Sequence, residues 1–189
     1  DGSPVADHLL MRQALTRAIP LALPIINHCE EPTLARGGVM NEGMVAARLG
    51  LRGMAAAAEE AMVARDIALA ESTGGRLHLA HLSTAGSVDL VRRAKEQGIP
   101  VTAEVTPHHL TMTEEWAVAE QGRDLLSPAS THPNYDTDAK VNPPLRTQAD
   151  VEALVQGLRE GVIDCIATDH APHTQADKAC SFEEAAFGI

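Results

Sequence analysis

Three side chains with metal-binding chemistry follow short apolar stretches of the chain. His28 and His81 each end one such stretch, and Asp169 ends a third. Imidazole nitrogen and carboxylate oxygen are ligands that proteins offer to zinc-type metals. A carboxylate in such a site can also act as a general base toward a metal-bound water. The three positions therefore indicate a metal centre that carries its own base.

Each of these residues also has a simpler interpretation. A single histidine at the end of a strand is more often a structural hydrogen-bonding group than a ligand. Two histidines at neighbouring strand ends favour one shared metal ion instead. Asp169 can cap a helix or form an Asx turn rather than bind metal. The sequence around these residues has to decide between the two interpretations.

Apolar strands alternate with amphipathic helices along the chain, which is the pattern of parallel α/β proteins. The pattern predicts strands at 23–27, 76–81, 100–105 and 163–168. It predicts helices at 5–19, 55–73, 85–97 and 147–160, and a short helix near 113–121. The rest of the 113–139 stretch is irregular and rich in Pro, Asp, Asn and Thr, and its conformation stays open.

The candidate metal ligands fall at the carboxyl ends of the predicted parallel strands. Active sites of (β/α)8 barrels and open α/β sheets lie at this edge. A complete barrel needs eight strands and about 250 residues, whereas this sequence of 189 residues predicts four. We expect one domain over residues 1–189, built as about four βα units of a (β/α)8 barrel, with no second domain.

Composition excludes several classes of protein. The net charge of −11 and the four aromatic residues disfavour nucleic-acid binding. The apolar run at 18–26 is too short for a membrane helix. Cys29, Cys165 and Cys180 form no CxxC pair, so the spacing indicates neither a disulfide framework nor a thiolate zinc site. The cysteine usage predicts a protein of the reducing cytoplasm.

The remaining polar residues have structural interpretations. We expect His108 and His109 to be structural, and His78 to face the helices as a core histidine. The acidic pair Glu59 and Glu60 is interpreted as part of a solvent-exposed helix face.

Five motifs in this order resemble those of the bacterial dihydroorotases of the long-chain type, within the amidohydrolase superfamily. They are His28-Cys29-Glu30, His81-Leu82-Ser83-Thr84, the segment 104–110 with sequence EVTPHHL, the segment 140–146 with sequence KVNPPLR, and the segment 167–173 with sequence ATDHAPH. The resemblance spans nearly the whole chain. It implies a metal-dependent (β/α)8 barrel that holds two zinc ions.

The resemblance also implies roles for individual metal ligands. His28 and His81 match the histidines of the second zinc. Asp169 matches the carboxylate that binds the first zinc and serves as general base and acid. Asp1 matches the aspartate that bridges the two metals, although no residue precedes it to fix the register.

Further matched positions contact the substrate. Asn142, His173 and the backbone of Phe187 and Gly188 correspond to such contacts. The implied reaction is the reversible cyclisation of N-carbamoyl-L-aspartate to L-dihydroorotate in pyrimidine biosynthesis. The implied partners are this small molecule, further copies of the chain and aspartate carbamoyltransferase.

Two features of the family are absent from the chain and leave alternatives open. The opening His-x-His-x-Arg motif and the small β-rich domain are missing, so we expect the chain alone to be inactive and to bind at most one zinc. An allantoinase or hydantoinase is one alternative, although no lysine precedes Lys95 to supply the carbamylated bridge of those enzymes. A non-catalytic subunit that scaffolds aspartate carbamoyltransferase is another, although His28, His81 and Asp169 are all present.

Overall fold

A computed structural model of the chain describes residues 3–119 and 135–189. Asp1 and residues 120–134, which include the middle of the irregular 113–139 stretch, lie outside the described residues. The strands are β1 Ile25–Asn27, β2 Met40–Asn41, β3 Gly53–Met54, β4 Leu77–Leu79, β5 Val101–Val105 and β6 Cys165–Ile166. The helices are α1 His8–Ala18, α2 Pro32–Ala35, α3 Met44–Leu49, α4 Ala56–Thr73, α5 Ala85–Glu96, α6 Pro107–Thr111, α7 Gln148–Arg159 and α8 Gln175–Lys178. Short 3₁₀ turns occupy Ile19–Leu21, Glu114–Ala117 and Thr137–Ala139.

The four strands expected from the sequence form one parallel sheet in the order β1-β4-β5-β6. Each is shorter than its apolar stretch: β1 and β5 begin later than predicted, and β4 and β6 are shorter at both ends. β2 and β3 form a separate parallel pair, which the sequence pattern missed because each strand has only two residues. The α/β class and the partial barrel are confirmed.

Local chemistry explains why the long helices begin and end where they do. α4 stops at Gly74, whose φ of 71° suits a residue without a side chain. α5 starts after Thr84, whose hydroxyl accepts from the Ser87 amide, and α7 starts with a capping box between Thr147 and Asp150. The bounds predicted for these helices agree with the structure to within a residue or two at each end.

The main core lies between one face of the sheet and the helices. Leu77, Leu79, Val101, Ala103 and Val105 are each at most 5% exposed and belong to one apolar cluster with residues of α1, α4, α5 and α7. Alternation along a strand then sends the intervening side chains to the opposite face, which is the inner face of the barrel.

His78 is one of these inner-face residues, so the expectation that it packs against the helices is wrong. Its neighbours Leu77 and Leu79 fill the helix side of β4. The His78 ring instead contacts Thr102 and Glu104 of β5, with Nδ1 2.8 Å from the threonine hydroxyl and Nε2 3.0 Å from the carboxylate.

The outer strands of the four-stranded sheet expose apolar side chains. Ile26 of β1 is 64% exposed and Ile166 of β6 is 53% exposed. Within the described residues β1 and β6 each pair with one strand only. Unpaired strand edges that carry apolar groups favour association with another chain. Among the helices of the described residues, none is long and apolar enough to span a membrane.

We therefore predict that the 189 residues, purified alone, associate. Light scattering coupled to size-exclusion chromatography should give a mass above 20.0 kDa, and the double change Ile26→Thr with Ile166→Thr should reduce it. Met44→Thr is the matched control, because Met44 is 84% exposed on α3 and away from both edges. A monomeric parent chain would contradict the prediction.

Candidate active site

A cavity of about 330 Å³ opens where the strands β1, β4 and β6 end. Its walls are formed by His28, His81, Val141, Asn142, Asp169, Ala171, Phe187 and Gly188. These include every candidate site residue from the sequence except Asp1, which lies outside the described residues, and His173, which contacts the wall. The structure thus brings to one place residues that are as much as 160 positions apart in the chain.

Two buried imidazoles face each other on one side of the cavity. Nδ1 of His28 lies 3.0 Å from Nε2 of His81, and the rings meet at 72°. The other nitrogen of His28, Nε2, lies 3.2 Å from a carboxylate oxygen of Glu30. Because a carboxylate only accepts, Nε2 of His28 carries the proton and Nδ1 presents its lone pair toward His81.

The pKa shifts of His81 and Glu30 favour a neutral His81 imidazole and an ionised Glu30 carboxylate. Burial lowers the pKa of His81, and the neighbouring His28 lowers it further. The hydrogen bond from His28 lowers the pKa of Glu30, so that this group stays a carboxylate. Histidine binds metals as the neutral imidazole, commonly with its other nitrogen held by an acceptor, as Glu30 holds Nε2 of His28. The donor set of this cavity, with the Asp169 carboxylate on its wall, fits a zinc-type cation.

His81 and Asp169 both have left-handed backbone conformations, with φ of 36° and 45°. This region costs a residue with a side chain about 1–3 kcal/mol and is found most often at functional sites. In each case the residue follows the end of a parallel strand, where an extended backbone would carry the side chain past the cavity. The positive φ turns both side chains into it.

Asp66 on α4 fixes the loop that carries His28. Its carboxylate is fully buried and accepts from the Asn27 side-chain amide at 2.6 Å and from the Arg65 guanidinium at 2.6 and 2.8 Å. Burial raises the pKa of Asp66 and, together with the Asp66 charge, that of the Cys29 thiol. Asn27 immediately precedes His28, so this contact places the first histidine.

Glu59 on α4 fixes the loop that carries His81. It is 3% exposed and accepts from the backbone amides of Ser83 and Thr84 and from the Ser83 hydroxyl. The interpretation of Glu59 as part of a solvent-exposed face is therefore wrong. The buried positions of α4 are Ala58, Glu59, Met62, Val63, Asp66, Ile67 and Ala70. Helical periodicity would have put both acids on this stripe.

Arg146 joins the Ser83 loop to the β2–β3 pair. Its guanidinium is buried and donates to the Ser83 hydroxyl at 3.1 Å, to the Asn41 side chain at 2.8 Å and to the Met54 carbonyl at 2.8 Å. Burial lowers the pKa of Arg146, and the Glu59 charge is the first of the carboxylates that oppose this shift. Glu59, Ser83 and Arg146 therefore form one buried polar network beside the cavity.

The far wall of the cavity is held by main-chain contacts. His173 Nε2 lies 2.9 Å from the Phe187 carbonyl, and the Gly188 amide donates to the Lys140 carbonyl at 2.9 Å. The buried Lys178 ammonium donates to the Gly188 carbonyl at 2.7 Å. At Gly188, φ is 144° and a β-carbon would overlap the Ala171 carbonyl. Glycine is the residue that this wall can accommodate.

Asn142 directs an unused acceptor toward this site. Its Nδ2 donates to Glu30 at 2.8 Å, which identifies the other side-chain atom as the oxygen. Among the residues that the structure describes, no donor lies within hydrogen-bond distance of this buried Oδ1. A buried amide oxygen without a partner is costly, and a ligand N–H in the cavity would satisfy it.

His108 and His109 follow β5, and they differ in their contacts. His109 is buried and contacts the Thr106 hydroxyl at 2.7 Å and the Pro143 carbonyl at 3.0 Å, so its expected structural role is confirmed. Burial lowers the pKa of His108 to about 4, against the opposing effect of the Asp169 charge. His108 is therefore neutral at physiological pH.

Comparison with solved structures defines the class of fold. A D-hydantoinase (dihydropyrimidinase) from Thermus sp. superposes with a TM-score of 0.73 at 25% identity, over 97% of this chain and 39% of its own. An L-hydantoinase from Arthrobacter aurescens superposes with a TM-score of 0.74 at 23% identity, over 96% of this chain and 38% of its own. The chain is part of an amidohydrolase-type (β/α)8 barrel.

Sequence comparison is more specific. The family model described as Dihydro-orotase-like matches residues 1–87. The dihydroorotases of Caldanaerobacter subterraneus subsp. tengcongensis and Pelotomaculum thermopropionicum are 51% and 52% identical to this chain over all 189 of its residues. The chain is similar to these dihydroorotases along its whole length. It spans 40% and 41% of the length of these two relatives.

The buried network predicts a large difference between two arginines. Arg146→Met removes the buried cation that the Ser83 hydroxyl links to Glu59 and leaves the Asn41 and Met54 acceptors without their donor; breaking a buried charged network of this kind typically costs about 3–5 kcal/mol. Arg48→Met removes an ion pair with Glu115 in which both side chains are more than half exposed, and should cost about 1 kcal/mol or less. Urea unfolding of the complete protein measures both, and equal losses would show that the Arg146 network is not stabilising.

Proposed function

We propose that the protein carrying this chain is a metal-dependent dihydroorotase, which interconverts N-carbamoyl-L-aspartate and L-dihydroorotate. The observation that carries the proposal is that two adjacent imidazoles, a carboxylate and an amide acceptor line one cavity. The chain that forms this cavity is about half identical to dihydroorotases. The proposed setting is cytoplasmic pyrimidine biosynthesis.

His28 and His81 would hold one zinc ion, and Asp169 would bind a second, with Asp1 as the bridging carboxylate. Two zinc ions per complete site would polarise the substrate carbonyl and lower the pKa of a bound water. The remaining ligands of the second ion would come from outside these 189 residues. The positive charge would also draw an anionic substrate to a chain whose net charge is −11.

Asp169 is the proposed general base and acid. Its carboxylate lies on the cavity wall, where it would take a proton from the attacking water. It would then deliver this proton to the amide nitrogen that leaves as the ring opens. In the direction of synthesis the same group would take the proton from the attacking carbamoyl nitrogen.

The far wall would bind the organic part of the substrate. Asn142 Oδ1 can accept from a ring N–H. His173 would contact the substrate from beside the Phe187 carbonyl, and the main chain at Phe187 and Gly188 would lie along the ring.

The other functions considered from the sequence are less well supported. The hydantoinases match the fold at 25% identity or below, whereas the dihydroorotases match the sequence at 51–52%. A non-catalytic scaffold for aspartate carbamoyltransferase has no need for a buried pair of imidazoles oriented by Glu30. Assembly with further copies of the chain, or with that transferase, stays a prediction.

Three variants separate metal binding from substrate binding. In the complete protein, His81→Gln should lower the zinc content measured by atomic absorption and abolish activity. Asn142→Ala should leave the zinc content unchanged and raise KM, because it removes an acceptor for the substrate. His173→Ala should behave like Asn142→Ala. Loss of zinc in the Asn142 or His173 variant would contradict these assignments.

Replacement of the proposed base tests the chemistry. Asp169→Asn keeps the shape of the side chain but cannot transfer the proton, so kcat for cyclisation of N-carbamoyl-L-aspartate should fall about 10²–10⁴-fold. KM should change far less. Asp164→Asn is the matched control on the same segment, because Asp164 forms an ion pair with Lys95 away from the cavity. A turnover near the parental value in Asp169→Asn would remove this residue from its proposed role.

A further inference from the structure

A second group of potential ligands lies on the inner face of the barrel. His78 of β4, Glu104 of β5 and Cys165 of β6 each offer one ligand atom, and these three atoms lie within 4.8 Å of one another. None of the three residues lines the cavity of the candidate active site. Among residues 3–119 and 135–189, no other group of three or more His, Cys, Asp or Glu side chains has its ligand atoms within 4.8 Å of one another.

The register of the sheet places these side chains together. Glu104 pairs directly with Cys165, and His78 pairs with Thr102, two residues before Glu104. Side chains two residues apart on a strand share a face, and parallel neighbours in register point the same way. The three ligand atoms therefore come from three consecutive strands on the side away from the helices.

The hydrogen bonds of His78 hold its ring beside Glu104. The Thr102 hydroxyl lies 2.8 Å from Nδ1 and also donates a longer bond, of 3.4 Å, to the Leu77 carbonyl. Nε2 of His78 therefore donates its proton to the Glu104 carboxylate at 3.0 Å, as Nε2 of His28 does to Glu30. A divalent cation can replace this proton, because the imidazole and the carboxylate then both present lone pairs to it.

We propose that His78, Glu104 and Cys165 form a binding site for a borderline-soft divalent cation of the Zn²⁺ type, separate from the candidate active site. The mixture of imidazole, carboxylate and thiolate suits Zn²⁺, Co²⁺ and Cd²⁺ and disfavours Mg²⁺ and Ca²⁺, which take oxygen ligands. Three protein ligands leave a fourth position for water. The ion would tie β4, β5 and β6 together on their inner face.

Cys165 makes the site dependent on pH. Burial and the charges of Glu104 and Asp164 raise the pKa of the Cys165 thiol. The thiol is therefore protonated at neutral pH when no cation is bound, and binding releases this proton. Affinity should rise with pH, because the proton competes with the metal for the sulfur.

Cobalt distinguishes this site from the candidate active site, because among the residues of the two sites only Cys165 is a thiol. The complete protein, freed of metal, is titrated with Co²⁺ while the near-ultraviolet thiolate-to-cobalt absorption is recorded. We expect this band in the parent and its loss in Cys165→Ser. Thr102→Val removes the partner that orients His78 and should weaken cobalt binding about 10–100-fold. Cys180→Ser is the matched control and should keep the band.

The outcomes are independent of the proposed function. Asp169→Asn and His81→Gln should leave the cobalt–thiolate band unchanged, whatever they do to activity. Circular dichroism of each variant checks that the fold is retained. No thiolate band in the parent, or a band of equal strength in Cys165→Ser, would overturn the proposal.

Discussion

Two carboxylates buried on one face of α4 determine where the candidate active site can form. Asp66 holds Asn27 before His28, and Glu59 holds the Ser83 loop after His81. Burying a carboxylate is unfavourable unless donors replace the lost water, and here the histidine-bearing segments supply donors to both acids, in addition to the Arg65 guanidinium at Asp66. If these segments moved away, each carboxylate would lose buried donors. The 3.0 Å separation of the two imidazoles depends on this condition.

The same reasoning explains what the sequence could reveal. Strand and helix positions followed from apolar periodicity, and the residues around the cavity followed from their place at the carboxyl ends of parallel strands. The motif resemblance added Asn142 and His173, which no local pattern would have identified. Short elements such as β2 and β3 carry too few residues for a periodic signal.

The charged and inner-face residues were harder to place. An acidic pair such as Glu59 and Glu60 suggests an exposed helix face, although the helical phase of Glu59 matches that of the buried Asp66. The face of His78 cannot be predicted from His78 itself, because Leu77 and Leu79 determine which side of this short strand meets the helices. The group around Cys165 depends on the register of three strands, which are far apart in the sequence and carry no spacing signature.

The spacing of the two carboxylates has a further consequence for how α4 can change. Glu59 and Asp66 are seven residues apart, which corresponds to about two helical turns and roughly 10.5 Å along the axis. One inserted residue between them would turn Asp66 by about 100° around the helix and move it away from Asn27, while Glu59 kept its contacts. Insertions and deletions should thus be far less tolerated between these positions than substitutions on the exposed side. Beyond Ala70, where the helix approaches its glycine stop, a change in length would leave both anchoring points in phase.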